Sequence, residues 1–185
     1  MNKLEKLPAN LPKPVDDGKC NHLLGMEIPT IKLWATDGKQ VELANFKENL
    51  VIYCYPMTGR PDTELPNGWE EIPGARGCTP QACSFRDHYS ELKTLQFEVF
   101  GISTQSSEYQ KEVSERLHLP YVLLSDDNLK FVSALKLPTF QVGQMELIKR
   151  LTLIFKKGKV VKYFYPVFPP DENINQVIRW INNND

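Results

Sequence analysis

The sequence predicts an α/β fold in which a central mixed sheet is flanked by helices. Two observations support this class: strand-like and helix-like segments alternate along most of the chain, and the strand-like segments are apolar enough to be buried. The chain has 185 residues, a length that closes one core without disulfides or metals. We therefore expect a single domain over 26–185. The preceding residues 1–25 carry prolines among charges and are expected to form a loosely ordered arm.

The first half of the domain is predicted to contain a hairpin, a buried strand and a long loop. The hairpin is expected around Asp37-Gly38, and the β-branched run LVIYCYP is typical of a buried strand that ends at Pro56. The following stretch, up to Gly77, is rich in proline and glycine and has no periodicity, which predicts a loop. Loops of about 20 residues are uncommon in compact domains and are often functional.

The second half alternates helices with strands and ends in a hairpin and a helix. Apolar or small residues at helical spacing after Cys78 predict a helix at about 79–94. The next four segments are predicted as strand FEVFGIST, helix SSEYQKEVSERLHL, strand YVLLSD and helix DNLKFVSAL. Two strands joined at Lys157-Gly158 and a last helix, which Asp171 is placed to cap, complete the fold.

Composition and charge argue against several classes of partner. The formal net charge is −1, from 22 basic and 23 acidic residues, so no excess of charge would attract nucleic acid or anionic lipid. No apolar run reaches the roughly 18 residues of a membrane span, and the start of the sequence has no apolar stretch typical of a secretion signal. We expect a cytoplasmic protein without nucleic-acid or membrane partners.

The cysteines point to redox chemistry or metal binding. There are four, namely Cys20, Cys54, Cys78 and Cys83. Resting thiols in the cytosol stay reduced unless a disulfide takes part in catalysis or sensing. Cys78 lies where the long loop ends and the predicted helix begins, so free amides and the positive end of the helix dipole face its sulfur. This position favours the nucleophilic thiolate, and the sequence offers two candidate cations: Arg76, two residues before Cys78, and Arg150, at the start of a later predicted strand.

Cys83 lies five residues after Cys78, a spacing that a regular helix does not allow to form a disulfide directly. The two Cα atoms would be roughly 8 to 9 Å apart, beyond the ~7 Å limit for bridging. A disulfide would therefore require the first helical turn to unwind. Two other interpretations are open: the cysteines are only small buried residues, or they belong to a zinc site. The zinc site would consist of Cys54, Cys78, Cys83 and His88, although no Cys-x-x-Cys occurs.

Five segments resemble the peroxiredoxins, most closely the peroxiredoxin Q or bacterioferritin comigratory protein type. In order, they are VIYCYP, GCTPQACSFRD, FGIST, LPYVLLSD and KRLTLIFKKGKV, between about Pro29 and Tyr165. The resemblance implies a thioredoxin-like fold and a thiol-dependent peroxidase of the atypical 2-Cys class that needs no cofactor. The implied substrates are hydrogen peroxide and organic hydroperoxides, and the implied electron donor is thioredoxin or a similar dithiol protein. A monomer or a homodimer is expected.

The resemblance also implies a role for three site residues. Cys78 matches the peroxidatic cysteine, Cys83 matches the resolving cysteine, and Arg150 matches the arginine that lies beside the attacked sulfur. Arginine at that place would stabilise the thiolate and polarise the peroxide oxygens. Arg86 and Asp87 in the same segment are expected to form a salt bridge that anchors the helix.

The sequence departs from the family pattern just before the reactive cysteine. The family usually has Pro-x-x-x-Thr-x-x-Cys, whereas the position three before the cysteine is Ala75. We interpret Pro56 and Thr58 as the motif's proline and threonine and residues 59–74 as an insertion. Thr58 would then accept a hydrogen bond from the peroxide, and Trp69 and the prolines of the insertion would cover the entrance. In the alternative, Thr79 or water replaces the missing hydroxyl.

A peroxide-sensing redox switch that relays its oxidation to a partner is the alternative function. It would use the same disulfide to signal rather than to remove peroxide. Turnover separates the two, because a sensor reacts once whereas a peroxidase consumes hydroperoxide catalytically.

Overall fold

The computed structural model describes residue 4 and residues 6–184. The strands are β1 (Lys32–Ala35), β2 (Gln40–Glu42), β3 (Asn49–Cys54), β4 (Phe97–Ser103), β5 (Leu123–Ser125), β6 (Thr139–Val142), β7 (Met145–Ile148), β8 (Leu151–Lys156) and β9 (Lys159–Phe164). The helices are α1 (Cys78–Asp87), α2 (Tyr89–Thr94), α3 (Ser107–Arg116), α4 (Lys130–Leu135) and α5 (Asn173–Asn182). In this part of the chain no helix has the length and apolarity that crossing a membrane requires.

Seven strands form one mixed sheet in the order β2-β1-β5-β4-β3-β8-β9. The central strand β3 runs parallel to β4 and antiparallel to β8, so the predicted mixed sheet is confirmed. Successive residues of β3 point to opposite faces, and each face has its own hydrophobic core. Ile52 packs with α4 on one face, and Tyr53 packs with α1, α3 and α5 on the other. Helices therefore cover both faces, as the sequence predicts.

Two helices differ from the predicted pattern. The single helix expected at 79–94 is broken at His88, whose ring nitrogen Nδ1 lies 2.9 Å from the Ser84 carbonyl oxygen. The prediction that Asp171 caps the last helix is wrong: the residue before α5 is Glu172, and no side chain caps this end. The hydrogen bond that a cap would provide is thus missing from the start of α5.

The β6-β7 hairpin was not predicted, and it supports the long loop before Cys78. Trp69 of that loop is buried and packs in a small core with Leu147 of β7. Its ring centroid lies 6.4 Å from that of Phe140 in β6. Trp69 therefore fixes the loop on the hairpin, and the expectation that it covers or shapes the entrance stays a prediction.

The last part of the predicted arm packs against the domain. Cys20 and Leu23 are almost completely buried in the core on the α4 face, so Cys20 is a core thiol rather than an arm thiol. Asp17 accepts hydrogen bonds from Lys149 Nζ and from the Tyr165 hydroxyl, both at 2.8 Å. These contacts anchor the arm beside Arg150, while the boundary near residue 25 stays a prediction.

Anchoring by Asp17 is expected to depend on pH. Burial acts to raise the pKa of its carboxyl, but hydrogen bonds from Lys149 and Tyr165 outweigh it and hold the pKa well below the ordinary value of 3.8. A carboxyl whose pKa is lower in the folded state stabilises the fold above its unfolded pKa, and this stabilisation is lost as the pH falls through the folded value. We expect Asp17→Asn to lower the free energy of unfolding at pH 7, with a difference that shrinks below pH 3.8. Urea unfolding at several pH values measures this difference, and a difference that does not change with pH would contradict the role of the charge.

Candidate active site

The topology of the sheet brings Arg150 to the loop that carries Cys78. Strand β3 ends at Cys54, and its antiparallel partner β8 begins at Leu151, which faces Cys54 in the register. Arg150 directly precedes β8 and therefore lies where the chain leaves β3. The loop of residues 55–77 starts at this point and returns to it at the beginning of α1.

Gly77 allows the loop to join the helix at Cys78. Its φ angle is 103°, in the left-handed region that residues with a side chain rarely adopt. A Cβ atom at this position would lie 2.4 Å from Pro170 Cγ and 2.7 Å from Leu7 Cδ2. Both the backbone conformation and the space require glycine, so Cys78 is held as the first residue of α1 by a residue that cannot be replaced without strain.

Gly77→Ala is expected to destabilise the protein by about 2 to 4 kcal/mol, because the strained backbone and the close contacts both oppose a Cβ atom. Gly143→Ala is the matched control, since Gly143 also has a positive φ, of 57°, but has no neighbour within 4 Å of a Cβ. Its free energy of unfolding should fall only by the cost of the left-handed backbone conformation, about 1 to 2 kcal/mol. Urea unfolding of both variants gives the two values, and equal losses would contradict the close packing at Gly77.

The sulfur of Cys78 is buried and lies next to a cation. Cys78 is 4% exposed, and its Sγ accepts a hydrogen bond from Arg150 Nη2 at 3.1 Å. Sγ also lies 3.6 Å from the Ala75 carbonyl oxygen, to which a protonated thiol donates. The amides of Cys78 and Thr79 have no acceptor within the helix and add positive potential at the sulfur. A charge-assisted hydrogen bond from arginine stabilises the thiolate, the form that attacks peroxides.

The guanidinium of Arg150 also holds the loop in front of the sulfur. Its Nε donates to the Gly74 carbonyl at 3.2 Å, and its Nη2 donates to the carbonyls of Ala75 and Arg76 at 3.1 and 3.2 Å. Its Nη1 donates to Gln81 Oε1 at 2.5 Å. The same side chain thus contacts three loop carbonyls, one helix residue and the sulfur, so it fixes the loop against the start of α1.

The other predicted cation, Arg76, forms an ion pair with Glu70 of the loop, with Nε and Oε1 3.1 Å apart. Its carbonyl accepts a hydrogen bond from Arg150. The ion pair expected between Arg86 and Asp87 is confirmed, with Nε and Oδ1 2.8 Å apart. Arg86 also donates to the Leu117 carbonyl, so it anchors α1 to the end of α3.

Two buried polar residues that the sequence did not suggest support Arg150. Gln81 accepts from Arg150 and donates through Nε2 to Asn173 Oδ1 at 3.2 Å. Asn173, the first residue of α5, also accepts from the Thr152 hydroxyl at 2.6 Å. Gln81 lies three positions after Cys78 and so shares its helix face, which is a signal the sequence contained. Nothing in the sequence pairs Asn173 with this site.

Cys83 lies on the same helix as Cys78 and is not bonded to it. No disulfide joins the two sulfurs, and α1 is continuous from Cys78 to Asp87. This is the arrangement expected of the reduced form. Cys83 is partly exposed, which leaves its sulfur accessible once the first turn opens.

Thr58 is buried at the other end of the loop, where it is bound to Gln105. Its amide and its hydroxyl both donate to Gln105 Oε1, at 2.9 and 3.1 Å, and Gln105 Nε2 donates back to the Thr58 carbonyl. Among the residues that the structure describes, no hydrogen bond joins Thr58 to Cys78. The hydroxyl oxygen still has lone pairs for an acceptor role, and that role for Thr58 stays a prediction.

The other two cysteines lie in surroundings that suppress thiolate formation. Burial raises the pKa of the Cys54 thiol far above its ordinary value. Burial, and then the negative charge of Asp17, raise the pKa of Cys20 to about 12. Both thiols remain protonated at neutral pH and are poor nucleophiles. Within residues 4 and 6–184, no three His, Cys, Asp or Glu side chains group together as a metal site would require.

Buried tyrosines form a neutral polar layer beneath α1. Tyr53 stacks on Phe85, its hydroxyl lies 3.1 Å from that of Tyr121, and the Tyr121 hydroxyl donates to the Ala82 carbonyl at 2.9 Å. Burial raises the pKa of Tyr53 and of Tyr121, so both hydroxyls stay protonated. This layer fixes the middle of α1 without placing a second charge near Cys78.

Comparisons with known proteins show which family the chain belongs to. A model of the Redoxin family matches residues 23–178. Putative peroxiredoxin Q, chloroplastic, from Oryza sativa subsp. indica is 33% identical over 157 residues, which are 84% of this chain and 64% of the relative. Peroxiredoxin bcp1 from Schizosaccharomyces pombe is 33% identical over 158 residues, 83% of this chain and 72% of the relative. The chain thus spans 64% of the length of the rice protein.

A solved structure extends the agreement to the fold. Peroxidoxin BcpB from Mycobacterium tuberculosis superposes with a TM-score of 0.71 at 22% identity, covering 88% of this chain and 97% of that one. A likeness at this identity shows the thioredoxin-like fold that the resemblance implied. With the family model and the relatives, it establishes that the chain belongs to the Redoxin family, as a peroxiredoxin of the peroxiredoxin Q and bacterioferritin comigratory protein type.

Proposed function

We propose that this protein is a thiol peroxidase in which Cys78 reduces hydroperoxides and Cys83 resolves the oxidised product. One observation carries the proposal: a buried sulfur at the start of α1 accepts a hydrogen bond from Arg150 Nη2 at 3.1 Å. The names of the relatives, all peroxiredoxins, support hydroperoxide as the substrate class.

In the first step the Cys78 thiolate attacks the terminal oxygen of the hydroperoxide. A sulfur–oxygen bond forms, the peroxide oxygen–oxygen bond breaks, and the alkoxide or hydroxide that leaves takes up a proton to become alcohol or water. Arg150 and the first amides of α1 face the place where negative charge moves from sulfur to the leaving oxygen. Donors fixed in this way stabilise the transition state more than the ground state.

In the second step the Cys83 thiol condenses with the Cys78 sulfenic acid. A disulfide forms and water leaves, carrying the sulfenic oxygen. Because the helical spacing puts the two Cα atoms roughly 8 to 9 Å apart, the first turn of α1 must unwind before the sulfurs meet. The cycle then contains two states of the enzyme. In the reduced state α1 is fully formed, and in the disulfide state its first turn is open.

A dithiol protein closes the cycle by exchange: its two thiols become a disulfide, and Cys78 and Cys83 return to thiols. We propose thioredoxin or a similar protein as this donor, and the chain needs no other cofactor for these steps. A monomer or a homodimer in the cytoplasm stays the expected form. Size-exclusion chromatography with light scattering, and fractionation of the source cells, would test it.

Intact-mass analysis after one equivalent of hydrogen peroxide tests the proposal. We expect a loss of two hydrogens from the reduced protein, with peptide mapping that places the disulfide between Cys78 and Cys83. Thioredoxin should then restore the mass, and the mixture should consume peroxide through many cycles. A disulfide to Cys20 or Cys54 would contradict the role of Cys83. Oxidation that occurs once and is never recycled by thioredoxin would favour the redox switch instead.

A further inference from the structure

The reduced active site is connected to the start of α5 by a chain of buried side chains. Cys78 Sγ contacts Arg150, Arg150 Nη1 donates to Gln81, and Gln81 Nε2 donates to Asn173 Oδ1 at 3.2 Å. Thr152 holds the far end of the chain through its hydroxyl, 2.6 Å from the same Oδ1. Gln81, Asn173 and Thr152 are fully buried, so water does not replace these hydrogen bonds when they break.

A second tether joins the same two elements one turn further along α1. The Ser84 hydroxyl donates to the Asp171 carbonyl at 2.6 Å. Ser84 makes no hydrogen bond to Arg150 among the residues that the structure describes. Residues 171–173 therefore hold α1 at two points, of which only Asn173 is connected to the arginine at the sulfur.

The two chemical steps require opposite states of the hydrogen bond between Gln81 and Asn173. Attack on the peroxide needs Arg150 in place, and Gln81 is the side chain that holds its Nη1. Disulfide formation needs the turn after Cys78 to unwind, and Gln81 lies within that turn. Asn173 therefore assists the first step and opposes the second through one side chain.

We propose that Asn173 is a positioning residue that sets the balance between peroxide attack and disulfide formation. The proposal rests on the proposed function and adds a residue outside the reacting groups. Asn173 holds Gln81 against Arg150 while the sulfur is reduced, and release of this hydrogen bond accompanies the unwinding of α1. Ser84 opposes unwinding only, because it is not connected to Arg150.

Asn173→Ala is expected to change the two rate constants in opposite directions. Loss of one buried hydrogen bond corresponds to about a fivefold effect. We expect peroxide attack to slow by about fivefold and disulfide formation to accelerate by about fivefold. Rapid-quench mass spectrometry, which counts thiol, sulfenic acid and disulfide over time, gives both rate constants from one experiment. A variant that merely weakens the fold would not change the two rate constants in opposite directions.

Three variants make the test specific. Ser84→Ala should accelerate disulfide formation and leave peroxide attack unchanged. Asn175→Ala is the matched control, because Asn175 is an exposed asparagine of the same helix that donates only to Glu172, and it should change neither step. In a Gln81→Met background, Asn173→Ala should no longer slow the attack, since Asn173 acts through Gln81.

Three results would overturn the inference. They are that Asn173→Ala slows both steps, that it changes neither step, or that it behaves like Asn175→Ala. If Asn173→Ala proves unfolded in urea titration, Thr152→Val replaces it, with smaller effects expected in the same two directions. Hydrogen exchange of the 78–83 amides in the reduced protein should quicken in Asn173→Ala and in Ser84→Ala. This readout needs no peroxide turnover, so it separates a failure of the tether from a failure of the proposed function.

Discussion

Cys78→Ser is expected to abolish hydroperoxide consumption, with a loss of about a thousandfold or more in the rate with thioredoxin. The reason is that the hydroxyl of serine remains protonated at neutral pH and cannot replace the thiolate as the nucleophile. Burial keeps Cys20 and Cys54 protonated. We expect Cys83 not to take over the attack, because Arg150 donates to the sulfur of Cys78 at the start of the helix. The loss of NADPH in a coupled assay with thioredoxin and its reductase measures the rate.

Cys54→Ala is the matched control for this experiment, because it removes a buried thiol from β3 without touching the sulfur at the helix start. It should retain most of the peroxidase rate after correction for any loss of folded protein. If Cys78→Ser kept substantial activity, or Cys54→Ala lost as much, the nucleophile would have to be assigned to another residue.

Arg150→Met is expected to slow the reaction of Cys78 with hydrogen peroxide by about a hundredfold to a thousandfold. Methionine has a similar length but neither the charge nor the donors, so the sulfur loses the hydrogen bond from Nη2. The carbonyls of Gly74, Ala75 and Arg76 lose their donor as well, and the loop before the helix becomes less ordered. Stopped-flow measurement of the reduced protein against hydrogen peroxide gives the rate constant.

Arg150→Lys separates charge from geometry in the same measurement. Lysine keeps the positive charge but has one ammonium group, which cannot reach the sulfur, Gln81 and three carbonyls at once. We expect a rate between those of the natural protein and Arg150→Met. A rate equal to that of the natural protein would show that only the positive charge matters. It would contradict a role for the hydrogen bonds that Arg150 donates to Gln81 and to the loop carbonyls.

Local patterns were sufficient to predict the sheet and the position of Cys78 at the start of a helix. The run that forms β3 is apolar and β-branched, and such a run has few stable environments other than a buried strand. The change from a loop without periodicity to helical spacing located Cys78 at the start of α1. Arg150 was different, because an arginine before a strand is usually a surface residue, and only the family resemblance assigned it a role.

The features that the sequence did not predict depend on contacts between distant segments. The β6-β7 hairpin became significant only because Trp69 packs on it, across more than 60 residues of sequence. Asn173 joins the site because α5 crosses α1, which no local pattern encodes. Asp171 is not the cap because α5 begins at Asn173, so that Glu172 is the residue before the helix, and the Asp171 carbonyl is bound by Ser84 of α1.

The predicted insertion of residues 59–74 has a structural role that the sequence left open. It contributes Trp69 to a small core and presents its last carbonyl, that of Gly74, to Arg150. The arm also contacts this region, with Pro14 packed against Gly74 and Leu7 against Gly77. The loop in front of the sulfur is thus held by the β6-β7 hairpin, by Arg150 and by the arm.

The reaction rate of the reduced protein with hydrogen peroxide at neutral pH tests the central claim most directly. It is best measured in Cys83→Ser, where the sulfenic acid on Cys78 accumulates and its added oxygen is counted by mass. The cation and helix start around this sulfur predict a second-order rate constant at least about a hundredfold above that of free cysteine. A rate constant equal to that of free cysteine would contradict the account.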